Sequence, residues 1–216
     1  MAKGFSRSRR GIRAKFDDHE KALLAHLFVE VYELLDDQTA VEADPLAAMV
    51  GIGTAVKPPA DPALARLLPD GHRDDPEASA EFRRYTEVGL RQRKRTGLET
   101  ARRTLGRPGV LLLDDSEAQA WVVALTDVRL VLAERMGLRT DDDHERLMDQ
   151  VMDAIDARDE GDDADDVGDR PSSDLGGDPA SDMVALEVML SLYDFLTWLQ
   201  ETLVAALVAP MTDPPT

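Results

Sequence analysis

The residues best placed to do chemistry are arginines on one helical face. In "EFRRYTEVGLRQRKRTG" (Glu81–Gly97) and just beyond it, Arg84, Arg91, Arg95 and Arg102 follow one another at spacings of seven, four and seven. That spacing puts them on a single line of a helix. Such a line, with Tyr85 and Lys94 beside it, can bind an anion, a nucleic acid or an acidic protein surface. The same segment supplies carboxylates three or four residues away, at Glu81–Arg84, Glu87–Arg91, Arg95–Glu99 and Glu99–Arg103, so local pairing competes with any binding role. A third use is an acidic line of matching period, Glu187, Asp194 and Glu201. It can meet the arginines within the subunit or across a homodimer. Exposed pairs contribute only about 0–1 kcal/mol each. Pairing inside the fold is the expected use of most of the ridge.

Arg129 raises a separate question, because it stands in "LTDVRLVL", the most apolar of the helical stretches. A buried guanidinium needs a carboxylate. Asp194 in "LYDFLTW" is the expected partner, with Glu81 and Glu87 as alternatives. Failing those, Arg129 reaches solvent along its own methylenes.

Other chemistries are absent from the pattern. The chain has no cysteine, which removes disulfide and thiolate chemistry. His19, His26, His72 and His144 show no metal-ligand spacing. Asp163, Asp165 and Gly168 imitate the start of a calcium loop. However, Val167 occupies a ligand position, Asp174 stands where a bidentate Glu is wanted, and Pro171 interrupts the loop. "GIGTAV" (Gly51–Val56) reads as a turn, and there is no phosphate loop, nucleophile elbow or triad. No cofactor and no metal site are expected. An enzyme would have to use an unrecognised site around Arg129 and Tyr85.

Charge narrows the partners. With 43 acidic and 25 basic side chains the chain carries a net charge of −18, which repels phosphate and argues against a general nucleic-acid binder. Met183–Ala209 is apolar but interrupted by Glu187, Asp194, Gln200 and Glu201, so it is not expected to span a membrane. A cytoplasmic protein is the expectation.

These residues need elements to position them. Residues 1–10, "MAKGFSRSRR", read as a basic, disordered tail. Gly11–Phe16 alternates as a short strand, and "GVLLLDD" (Gly109–Asp115) as another. The two are expected to pair as a two-stranded element. Asp17–Asp37 carries Leu24, Leu27, Phe28, Val31, Leu34 and Leu35 at helical spacing. "DPLAAMVG", "DPALARLLP" and "DDPEAS" each place Asp before Pro, the start signal of a helix. The last predicts one long helix from Pro76 to about Leu105. Asp114 and Glu117 form a capping-box variant ahead of a helix to Met136, apolar on most sides. A further helix carries Leu147, Val151 and Ile155. Residues 159–181 are too acidic and too rich in Gly to order, and read as a linker. A last helix, Asp182 to about Ala209, is the second buried one. The expected fold is all-α: a helical domain over 11–158, completed by 182–209, with a short tail at 210–216.

Four phrases, "DPALARLLPDGHRDDPEASAEFRRYTE", "LRQRK", "AWVVALTDVRLVLAERMGL" and "YDFLTWLQETLV", occur in one order. They resemble an actinobacterial family known as a domain of unknown function, number two-thousand-seventeen in its series. The resemblance covers most of 11–207 and skips the acidic linker. Its signature phrases fall here on Glu81, Phe82, Arg83, Arg84, Tyr85, Glu87, Arg91 and Lys94. They also fall on Trp121, Arg129, Arg135, Tyr193, Asp194, Trp198 and Gln200. Members are often encoded beside a Clp-protease adaptor, and some are labelled regulators. The resemblance therefore implies a regulatory or housekeeping protein and assigns no residue a role. The reading that follows is a non-enzymatic interaction or regulatory protein, as a possible homodimer meeting through Arg84, Arg91 and Arg95. The alternative is a transcriptional regulator using the basic tail and the same helix.

Overall fold

In the computed structural model, the described residues are 3–36, 57–72, 74–140, 142–143, 145–152 and 179–209. In chain order they form β1 (Lys3–Ser8), β2 (Gly11–Lys15), α1 (Asp18–Leu34), α2 (Pro62–Leu67), α3 (Pro76–Leu105), β3 (Leu111–Leu113), α4 (Asp115–Met136), α5 (residues 145–152) and α6 (Pro179–Val208). The fold is mainly helical, with one small antiparallel sheet of order β1-β2-β3. The chain divides into two compact units, Met1–Val131 with Leu196–Thr216, and Leu132–Phe195.

The first unit is built on the sheet. Ile12 pairs with Leu113 and Ala14 with Leu111, so the apolar face of each strand lands on the same side. This is the expected pairing of the two extended segments. The reading of 1–10 as a tail is overturned, because Lys3–Ser8 adds a third strand to β2 through a tight turn at Arg9 and Arg10. Gly11 sits in that turn at φ +126°, and a Cβ there would lie 2.3 Å from the Leu113 carbonyl oxygen. Only glycine fits.

What holds β1 is distant in sequence. The Phe5 amide donates to Thr202 Oγ1 at 3.1 Å, and the Phe5 ring meets Trp121 edge-on at 5.5 Å. Phe16 stacks on the same indole at 6.2 Å, and Phe28 meets it edge-on at 5.3 Å. Trp121 is fully buried, so its N–H needs an acceptor. Thr104 Oγ1 supplies one at 2.7 Å. Leu24, Leu98, Ala101, Leu125, Leu196, Leu199 and Leu203 complete this core.

The helices start where the capping signals place them. Asp17 and Glu20 form a reciprocal capping box on α1. Asp61 caps α2, and Asp75 caps α3 ahead of Pro76. Asp114 and Glu117 cap α4 in the same reciprocal way. Burial bears out the expectation for α4, where Val123 alone is exposed between Ala120 and Glu134, and corrects it for α6, which shows one face to solvent. Val204 and Val208 on α6 are exposed.

The second unit has its own small core of Ala133, Leu138, Val151 and Leu190, with Met136, Leu147, Met148, Leu186 and Tyr193 packed against it. α6 begins at Pro179, before the Asp182 expected. The rest of the acidic segment, the "DPLAAMVG" helix, His144, Ile155 and residues 210–216 lie outside the described residues. No described helix is long and apolar enough to cross a membrane.

Candidate functional site

α3 is the element on which most of the singled-out residues sit, and its buried side is a chain of ion pairs. Arg83 lies at its start, only 5% exposed. Its guanidinium donates to Asp70 at 2.6 Å, to Glu87 at 2.6 Å, and to the Leu68 carbonyl at 3.3 Å. Burial opposes its charge, but the bonds to Glu87 and Asp70 outweigh that and hold its pKa above the ordinary value. Glu87, also buried, is shared: its other oxygen accepts from Arg91 at 2.7 and 3.0 Å. Arg91 then donates to the Leu35 carbonyl at the end of α1. One carboxylate and two arginines thus bind the 68–70 loop, α3 and α1 together.

Further along α3, Lys94 Nζ donates to Asp127 Oδ1 at 2.5 Å. Asp127 is 1% exposed, and its Oδ2 has no hydrogen-bond partner among the described residues. Burial raises its pKa, against the opposing pull of Lys94. Arg95 lies over the Tyr32 ring at 4.3 Å and donates to Asp36 at 2.6 Å. Tyr32 first, and Asp36 after it, raise its pKa against the cost of burial. Arg102 takes Glu99 in a two-point bond at 2.9 Å.

The expected ridge is therefore mostly committed within the fold. Glu87–Arg91 forms as expected. Glu81 is exposed and, among the described residues, makes no ion pair with Arg84. Two further local pairs are replaced: Arg95 turns to α1 instead of Glu99, and Arg103 lies 3.7 Å from Glu117 instead of pairing with Glu99. Glu117 also holds Arg107 at 2.5 Å. Arg84 stays exposed, its guanidinium 5.9 Å from the centre of the Tyr85 ring. Lys94 is no surface contact residue but half of a buried pair.

Arg129 donates to Gln200 Oε1 at 2.8 Å, and Gln200 Nε2 donates to Thr126 Oγ1 at 2.9 Å. Glu87, one of the acids expected to meet Arg129, is engaged by Arg83 and Arg91. In "LTDVRLVL" the fully buried charge is Asp127, two residues before the arginine that drew attention. The signal was present: Asp127 falls three residues after buried Ala124, on the core stripe of α4. Asp70 and Asp36 carried no comparable signal, since they lie outside the helices.

Two hollows flank these pairs. One, with room for little more than a water molecule, is lined by Asp70, Gly71, Phe82, Arg83 and Glu87, among others. The other is an open groove lined by Phe28, Tyr32, Leu98, Glu99 and Arg102. Arg129 and Tyr85 line neither. No cluster of three or more metal-ligating side chains occurs among the described residues. The arrangement stitches segments of the first unit together.

The family model described as "Domain of unknown function (DUF2017)" matches residues 2–207. The chain belongs to the DUF2017 family. The chain is 35% identical over 136 residues to the "Oxidative stress regulator AosR" of Mycobacterium tuberculosis (strain H37Rv) and of Mycobacterium bovis, a match covering 56% of this chain and 62% of theirs. A Mycobacterium leprae protein provisionally given the same name is 30% identical over 210 residues, 88% of this chain and 80% of its own length. No solved structure matches. In this DUF2017 chain the signature phrase around Arg83, Glu87 and Arg91 coincides with the buried ion-pair chain of α3.

Proposed function

We propose that this chain is a cytoplasmic, non-enzymatic regulator in the response to oxidative stress, acting through contact with a protein partner. Its similarity over 136 residues to relatives named as an oxidative stress regulator, and over 210 residues to one given that name provisionally, carries the reading. The committed state of the charged side chains supports the non-enzymatic half. Arg83, Arg91, Lys94, Arg95 and Arg102 each pair with a carboxylate of this chain, the Arg102–Glu99 pair at the surface, so phosphate would have to displace an acid at each.

The partner face we assign is the outer side of α3, where Phe82, Tyr85 and Val88 are 46%, 55% and 44% exposed. Arg84 lies over Tyr85 there. Exposed aromatics beside an arginine are the composition of interface anchors. The partner is a protein surface with a carboxylate opposite Arg84. Deleting the gene should lower survival of the host under peroxide. Wild type should restore it, and a Tyr85→Ala, Arg84→Glu double variant of unchanged stability should not. Full rescue by that variant would refute the face, and unchanged survival on deletion would refute the stress role.

The nucleic-acid alternative retains Arg84 and Arg9 and Arg10 of the hairpin turn. It calls for binding that weakens steeply with salt, by about 0.9 in log–log slope per phosphate neutralised on duplex DNA.

A further inference from the structure

A regulator of the oxidative response that has no cysteine needs another oxidisable group if it senses oxidant itself. Five of the eight methionines, Met136, Met148, Met152, Met183 and Met189, fall within Leu132–Phe195. Met1, Met49 and Met211 lie outside the described residues. Met136 and Met148 pack against the core of this second unit, formed by Ala133, Leu138, Val151 and Leu190. Met152 is 53% exposed and lies one helical turn from Met148 on α5.

That core is small. Most of a helix's stability in a protein comes from packing its apolar side, so α5 depends on what Leu147, Met148 and Val151 bury. At its start, the Asp143 carboxylate accepts from the amides of Arg139 and Thr140. These bonds anchor the entry to the helix, while its apolar side packs on that core.

We propose that Met148 and Met152 are the oxidation site of this chain, and that sulfoxide formation at Met148 releases α5 from the second unit's core. The inference rests on the stress-response reading for its physiological meaning, and on the packing of the second unit for its chemistry. Hydrogen peroxide transfers one oxygen to the thioether. A sulfur lone pair attacks one peroxide oxygen, the O–O bond breaks, an S–O bond forms, and the proton on the transferred oxygen passes, directly or through solvent, to the departing hydroxide to give water. Sulfur loses two electrons and peroxide gains them. Met152 reacts first because it is open to solvent. Met148 follows as α5 opens locally. A sulfoxide at Met148 sets a strong dipole against Leu138, Val151 and Leu190, where the thioether was apolar. Methionine sulfoxide reductases reverse the step.

The test uses the purified full chain, treated with hydrogen peroxide, quenched and mapped by peptide mass spectrometry and amide hydrogen exchange. The expected result is one added oxygen at Met152 and then at Met148. Exchange over 145–152 should then accelerate by roughly five- to thirtyfold, with α3 and the sheet unchanged. Both changes should disappear after treatment with the two reductases. A Met148→Leu variant, and the Met136→Leu, Met148→Leu, Met152→Leu triple variant, keep volume and apolarity and should keep native exchange after peroxide. Sulfoxide at Met148 with unchanged exchange would overturn the proposal. So would exchange that accelerates equally in the Met148→Leu variant, or oxidation confined to Met1, Met49 and Met211. This outcome is independent of the survival assay, so failure of either reading leaves the other standing.

Discussion

Removing the Asp127 carboxylate leaves the Lys94 ammonium, 14% exposed, without its acid. Breaking a buried pair by deleting one partner costs about 3–5 kcal/mol, so Asp127→Ala should lower the unfolding free energy by that order in urea titrations. Lys94→Met with Asp127→Leu, which removes both charges, should recover most of the loss. Acid gives a second test with opposite signs. Arg107 holds Glu117 below its ordinary value of 4.5, so its contribution is present above that value and is lost as pH falls through the lower, folded one. Burial holds Asp127 above 3.8. There the folded state takes up the proton first, and its contribution to stability grows as pH falls through that window. Between about pH 6 and 3, Glu117→Gln should flatten the loss of stability and Asp127→Asn should steepen it. Denaturant midpoints at each pH measure both.

At the scale of elements, what the sequence made legible was local. Capping at Asp17, Asp61, Asp75 and Asp114 depends on residues within four positions, and the ends of α3 at Pro76 and Leu105 agree with the reading. β2 and β3 were legible because each alternates on its own. β1 was not: Phe5 is its one large apolar residue, and it is held by Thr202, 197 positions away. The ion pairs divide the same way. Glu87–Arg91 follows from helical spacing, whereas Arg83–Asp70 and Arg95–Asp36 depend on where a loop and the end of α1 fold back. Lys94–Asp127 needs two helices to be in register. The hairpin turn offers a test at this scale. Gly11→Ala combines a positive φ, about 1–3 kcal/mol of strain, with a clash against the Leu113 carbonyl, and should loosen the whole sheet. Gly109 also has a positive φ, +82°, but nothing lies near its Cβ position. Gly109→Ala should cost the backbone strain alone. Thermal melts of the two variants should therefore differ clearly, with Gly11→Ala the lower.

For the whole molecule, the ridge resolves into two classes of arginine that a single charge reversal can separate. Arg91→Glu puts a second acid beside buried Glu87 and removes the bond to the Leu35 carbonyl. It should unfold or strongly destabilise the first unit, about 3–5 kcal/mol by the same buried-pair argument. A dimer lost in that variant would not by itself locate an interface. Arg84→Glu changes an exposed side chain whose recorded neighbour is an exposed ring, and surface changes of that kind shift stability within about 0.5 kcal/mol. Light scattering after gel filtration, on both variants at low and high salt, separates fold from contact. If α3 is a docking face, Arg84→Glu should keep the melting curve of wild type and lose its partner, or its own second copy if that is the partner. Arg91→Glu should lose both together. Partner binding that survives Arg84→Glu with Tyr85→Ala would move the search away from α3. The chain's net charge of −18 then favours a basic partner, met by the exposed acids of α6, such as Glu201.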